Sequence, residues 1–399
     1  MKDKEKGLRG FLTRSSIMGI FFIIFLKPHM IAQIAPRISD IMNLLLVAIS
    51  IIIIAAYILD GKISKIQLLI FTLFSIMLIS TIINSGNIIF CCTAYIPAVA
   101  ISMYTEMLIK CNLKKFLINL SCILGIFIII NFLTVIIFPG GHSGRNIYFL
   151  GLDNSSGLMV ILSVVFITLT AYLYKGKQTL TSILIVVIAC VTYLMTKAAT
   201  PIIGCVIFVF FLFFIYKKKN AMKVFNYRVY LMVTIIFFVL FIILRMQNLF
   251  SYILVDLLGK DLTFNGRTLI WDYAIELFKK NPLLGTGMEV YETRLQVKGM
   301  YHAHNTYLNI LMEGGVLGFV IYITILLVEG KQLVKNNVIN SIISVGFFIY
   351  FIMGISEVYY NDKMLYVILV VGYYSNRILE TFINEKEDRL ELTNNKSQA

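Results

Sequence analysis

Three cations and one imidazole invite a chemical reading: Arg145, Lys197, Arg267 and His304. Arginine and lysine hold phosphate oxygens through charge-assisted hydrogen bonds and steady negative charge as it grows on a leaving group. A histidine of ordinary pKa, about 6.5, takes a proton from a hydroxyl at neutral pH. Together these groups suit transfer chemistry in which an alcohol attacks a phosphate-bearing substrate. Asn154, Tyr301 and Asn305 stand beside them as supporting polar groups. Glu313 lies in an apolar run, where an acid is costly and faces the protein interior. It reads either as a partner for one of the arginines or as a structural, hydrogen-bonded carboxyl. Glu357 and Asp362 are alternative bases. His302 and His304 form a His-x-His pair, but no nearby Cys or paired acid in the sequence completes a metal site. No metal and no cofactor are expected.

The elements that must position these groups are membrane helices. Of 399 residues, 59% are hydrophobic and only 14% are charged, against about 25% charged in a soluble domain. The apolar residues come in blocks of roughly twenty, the length a helix needs to cross the hydrocarbon. They lack the alternation of barrel strands. The pattern predicts an all-α integral membrane protein of about twelve transmembrane helices. The spans are 15–35, 41–59, 66–83, 88–109, 116–138, 155–174, 179–196, 201–216, 229–245, 306–328, 338–356 and 363–379. The N-terminal stretch has no clean small-x-small cleavage site after Leu26, so it reads as the first retained span rather than a signal peptide.

The net charge of +14 does not imply nucleic acid. The lysines sit in short loops, where they orient a membrane protein, and no nucleic-acid motif accompanies them. With both termini cytoplasmic, every inner connection is basic: Lys62 and Lys65, Lys110 to Lys115, Lys175 and Lys177, Lys217 to Arg228, Lys331 and Lys335. Five cysteines lie in apolar blocks and Cys111 in an inner loop, so no structural disulfide is expected.

Four regions follow: spans one to nine over 1–245, an extracytoplasmic catalytic loop over 246–305, spans ten to twelve over 306–379, and a cytoplasmic tail over 380–399. A loop of about sixty residues is usually functional or disordered, and this one is not disordered in composition. Thr268 to Phe278 has apolar residues at helical spacing, and Asn281-Pro282 ends it. It predicts an amphipathic helix on the membrane or across the bundle mouth, carrying the only tryptophan, Trp271.

The run from Asn265 to Gly318 resembles the O-antigen ligase and polymerase family. Gly266-Arg267, Trp271, Asn281-Pro282-Leu283-Leu284-Gly285-Thr286-Gly287, His304-Asn305 and then, after nine residues, Gly315 to Gly318 stand in the order that family shows. Arg145 to Gly151 with Asn154, and Thr196-Lys197-Ala198, resemble its earlier outer loop and a Ser-Arg-small motif, with Lys in place of Arg. Lysine keeps the charge but loses the planar fork.

The resemblance implies a glycosyltransferase C-type bundle in the cell membrane with its active site outside. It implies transfer of glycan from a polyprenyl-diphosphate carrier, without nucleotide sugar or metal. His304 then matches the catalytic histidine and Arg267 the loop arginine. Arg267, Arg145 and Lys197 hold the diphosphate. The expected partners are the bilayer, a polyprenyl-diphosphate-linked oligosaccharide as donor and acceptor, a flippase and a chain-length regulator. The expected function is polymerisation of capsular, exopolysaccharide or O-antigen repeat units. Ligation to another acceptor is the alternative within the class, and lipid-linked oligosaccharide flipping the alternative outside it.

Overall fold

The computed structural model describes residues 7–144, 146–246, 266–290, 302–384 and 387. Arg145 and Tyr301 lie outside the described residues. The helices are α1 (Leu8–Leu12), α2 (Ser15–Phe25), α3 (Met30–Ile34), α4 (Pro36–Leu59), α5 (Lys65–Ile83), α6 (Ile88–Cys111) and α7 (Leu113–Ile137). A hairpin of β1 (Ile147–Tyr148) and β2 (Gly151–Leu152) follows. Then come α8 (Gly157–Lys175), α9 (Leu180–Thr196), α10 (Ala199–Phe210), α11 (Lys219–Val224), α12 (Tyr227–Phe238), α13 (Arg267–Lys280), α14 (Thr306–Leu333), α15 (Val338–Met353) and α16 (Lys363–Tyr373). Helices α10 and α12 each run on into a π turn, and 375–384 is again helical.

Among the described residues, six helices are long and apolar enough to cross a bilayer: α4 to α8 and α14. Six shorter apolar helices join them: α2, α9, α15, α16, and α10 and α12 with their π turns. The chain is thus an all-α membrane protein among its described residues. The first expected span, 15–35, is not continuous. Helix α2 stops at Phe25, and Lys27 precedes Pro28, whose ring disfavours helical geometry in the residue before it. The chain re-enters as the short α3, which packs on α4.

Hydrogen bonds collect the connections into two sets. At one end Glu106 accepts from Tyr57 Oη (2.9 Å), Ser64 Oγ (2.6 Å), Lys110 Nζ (2.5 Å) and Tyr374 Oη (2.8 Å). A buried acid so fully paired pins four segments together. At the other end, residues 282–290 join the tips of α5 and α6 to α14, and the turn 354–362 joins the start of α14 to α13, Asn154 and the α9–α10 joint.

Helix α14 carries a break that organises this second end. Gly315 has φ 61° and ψ −163°, outside helical geometry and in a region that glycine alone enters freely. The break leaves backbone groups of α14 without helical partners, and the segment after α13 supplies them. Thr286 N–H donates to the Met312 carbonyl (2.7 Å) and Gly287 N–H to that of Glu313 (3.0 Å). In return Val316 N–H donates to the Pro282 carbonyl (2.8 Å) and Leu317 N–H to that of Leu283 (3.2 Å). A methyl group on Gly315 would overlap the Leu283 carbonyl, and one on Gly285 the Met312 carbonyl. The two glycine-rich parts of the sequence motif are therefore halves of one backbone zipper. Irregular backbone at membrane depth is tolerated where protein satisfies it. The segment is also sewn to α5, through Asn84 Nδ2 to the Gly285 carbonyl (3.1 Å) and Met288 N–H to Thr81 Oγ1 (3.1 Å), and to the start of α6, through Asn87 N–H to the Met288 carbonyl (3.1 Å).

Candidate active site

Arg267 is the first residue of α13, which follows the left-handed Gly266. Trp271, Ala274 and Leu277 recur at helical spacing and are buried, and α13 packs on α14. The expected amphipathic helix therefore lies against the bundle. Arg245, beyond the end of α12, anchors it: its guanidinium stands over the Trp271 ring (5.3 Å) and pairs with Asp272.

His304 sits at the other side of this site, just before α14. Its backbone is left-handed, with φ 46°. The preceding Ala303 is buried, and its N–H donates to Asn309 Oδ1 (2.9 Å). The following Asn305 caps α14, accepting from Tyr307 and Leu308 N–H (3.0 and 2.9 Å). Asn305 Nδ2 also donates to the Ile355 carbonyl (2.8 Å), Thr306 N–H to that of Gly354 (2.8 Å) and Thr306 Oγ1 to that of Glu357 (2.9 Å). The turn between α15 and α16 is thereby buttoned to the start of α14.

That turn delivers Glu357. Its Oε2 accepts from Arg267 Nη2 (3.1 Å) and its Oε1 meets His304 Nδ1 (3.0 Å). Arg267 Nη1 donates to the Ser356 carbonyl. Burial alone would raise the Glu357 carboxyl, but the His304 hydrogen bond and the Arg267 charge outweigh it and hold it below the usual carboxylate range. Glu357 thus stands ionised between the imidazole and the guanidinium. The sequence offered it only as an alternative base; it is the group that unites Arg267 with His304.

His302 lies against His304, ring centroids 4.2 Å apart. Burial first, and then the neighbouring His304, push its pKa down to about 4, so its ring is neutral. The expectation that no acid stands near the His-x-His pair needs correction. Glu357, 53 residues from His304 in sequence, completes a set of three donors within 4.8 Å of one another. The chemistry of two imidazoles and one carboxylate fits a transition dication.

The other expected residues divide. Asn154 borders the site, since Tyr359 Oη donates to its carbonyl (2.8 Å). The α9–α10 joint reaches it through Thr200 Oγ1 and Ser356 Oγ (3.2 Å). Lys197, exposed and left-handed at the end of α9, is three residues before Thr200. Among the described residues Glu313 pairs with no arginine. It accepts from Tyr360 Oη (2.5 Å), which in turn is near Tyr95 Oη (3.3 Å) and Asn309 Nδ2 (3.5 Å). That is the structural, hydrogen-bonded alternative. Asp362 caps α16, accepting from Met364 N–H (2.8 Å).

Residues 184–323 match the family model for O-antigen ligase. That stretch holds Lys197, Arg267 and His304 and ends before Glu357. The chain is also 31% identical over 81 residues to the exopolysaccharide production protein ExoQ of Rhizobium meliloti (strain 1021). The alignment covers 17% of this chain and 19% of that protein. Both findings support a family like the O-antigen ligases and polymerases, as the motifs implied. No solved structure is a significant match.

Proposed function

We propose that this protein polymerises polysaccharide, transferring a growing glycan from polyprenyl diphosphate to a hydroxyl of a lipid-linked repeat unit at the extracytoplasmic face. The observation that carries this reading is the Arg267–Glu357–His304 line. Glu357 accepts a hydrogen bond from His304 Nδ1–H, which puts the lone pair of the neutral ring on Nε2, the atom proposed as base. The acceptor hydroxyl oxygen bonds to the anomeric carbon, the bond from that carbon to the diphosphate breaks, and the hydroxyl proton passes to Nε2. Glu357 then faces an imidazolium and stabilises it. Polyprenyl diphosphate leaves carrying the electron pair, and Arg267 neutralises its growing charge. Lys197 and Arg145 are proposed to add further contacts to the diphosphate. No role in the transfer is given to His302. The basic connections suit an inward-facing end, which leaves the site end outside.

The test is reconstitution in detergent with a defined lipid-linked repeat unit and no gradient. A polymerase lengthens the unit, a ligase moves it only to a different acceptor, and a flippase leaves it unchanged. His304→Ala and Arg267→Ala should each abolish extension while the protein stays monodisperse. Normal rates in both folded variants would refute the site.

A further inference from the structure

We propose that His302, His304 and Glu357 bind a first-row transition dication of the Zn2+ type, and that its binding switches the base off. The inhibitory half rests on the role given above to His304; the binding half stands on the donors alone. His304 Nδ1 and Glu357 Oε1 are already 3.0 Å apart. Ligand bonds of about 2.0–2.2 Å around a tetrahedral zinc place neighbouring donors roughly 3.3 Å apart. The third donor lies within 4.8 Å of both, so a rotation of the His302 ring closes the set. His302 Nδ1 is shielded from solvent and has no hydrogen-bond partner among the described residues. A buried nitrogen of that kind gains from a metal what it lacks from the protein.

The surroundings hold the donors in place. Ala303, between the two histidines, is fixed by Asn309, and the Glu357 carbonyl by Thr306. Arg267 holds the second carboxylate oxygen, leaving the first for the ion.

Inhibition follows from the tautomer. A neutral imidazole has one lone pair. Without metal, Nδ1 carries the proton and Nε2 has the lone pair that accepts from the sugar hydroxyl. A metal on Nδ1 displaces that proton, and Nε2 binds one in its place. The ring stays neutral and ceases to be a base.

The experiment uses the full chain in detergent, stripped with EDTA. Co2+ is titrated while its d–d absorption is followed, Zn2+ is used as competitor, and repeat-unit extension is measured with and without Zn2+. The expected result is one Co2+ per chain, displaced by Zn2+, with extension inhibited by Zn2+ and restored by EDTA. His302→Gln, with His302→Asn as a second variant, should keep the basal rate and weaken metal binding and inhibition by about a hundredfold or more, since lesser changes around metal sites cost about 10–100-fold. Unchanged Co2+ binding in the folded variants would overturn the site. Extension that needs metal, or that ignores bound Zn2+, would overturn the inhibition. A chain that binds Co2+ through His302 but extends nothing would support the metal site and refute the polymerase reading.

Discussion

Replacing Glu357 by glutamine isolates the contribution of its charge. The side chain keeps its length, and an amide oxygen can still accept from His304 Nδ1. The amide nitrogen then faces the Arg267 guanidinium, placing donor against donor where the structure has a 3.1 Å ion pair. Breaking a buried pair costs about 3–5 kcal/mol. Here the partners retain 17% and 18% side-chain exposure, so water recovers part of that loss. A transition-state cost of about 2–3 kcal/mol is left, or about 30- to 150-fold in rate. The assay is single-turnover extension of a labelled lipid-linked repeat unit at saturating protein. Fluorescence of Trp271, the only tryptophan, checks in the same sample that α13 remains docked. A folded Glu357→Gln protein within threefold of the wild-type rate would refute the claim that Glu357 sets the tautomer of His304 and the pose of Arg267.

Further outcomes follow from single contacts. Arg267→Lys keeps the charge but cannot reach the Ser356 carbonyl and Glu357 together, so extension should fall by about tenfold or more, with the larger part in apparent donor affinity. Gly315→Ala puts a side chain into a left-handed, crowded position and should lower stability by about 3 kcal/mol or more, read as a drop in the detergent unfolding midpoint. Arg245→Ala removes both the cation–π contact and the Asp272 pair, and should loosen α13 by about 1 kcal/mol, seen as a red shift and easier quenching of Trp271. Glu313→Gln preserves an acceptor for Tyr360 and should leave extension within about threefold, whereas an arginine-pairing role would cost as much as Glu357→Gln.

Apolar helices were legible because hydropathy and length are local properties, and most helix limits lie within a few residues of the expected ones. The break at Lys27-Pro28 was also a local signal, but the apolar run on both sides hid it. Arg267 and His304 were legible through motif spacing. Glu357 was not: it follows its partners by 53 and 90 residues, in a short turn whose sequence alone reads as an ordinary helix connection. Nothing periodic links it to them, and only the hydrogen bonds from Asn305 and Thr306 bring it there. The glycines of α14 read as a close-packing surface, and Gly314 and Gly318 do face Met77 of α5. What spacing could not reveal was that Gly315 abandons the helix, since a glycine tolerated in a helix and one required outside it look alike in one sequence.

That break explains how residues far apart in sequence meet in one cluster. Helix α14 carries His304 immediately before its first turn and offers opened carbonyls and N–H groups two to three turns below. The segment after α13 takes those groups, so the helix that begins with Arg267 is tied at its far end to the same helix that positions His304. The turn holding Glu357 is fixed to the first residues of α14 as well. All three groups are thus referenced to one rigid element. A loosened zipper should shift Arg267 relative to His304 without touching either, so Gly285→Ala is expected to reduce extension more than it reduces the affinity of the start of α14 for the 354–359 turn. Amide hydrogen exchange at Thr306 and Tyr359, compared with exchange at Thr286 and Val316, would separate the two. Equal loss of protection at both places would mean that the zipper and the site unfold as one unit and that the reference-helix argument is wrong.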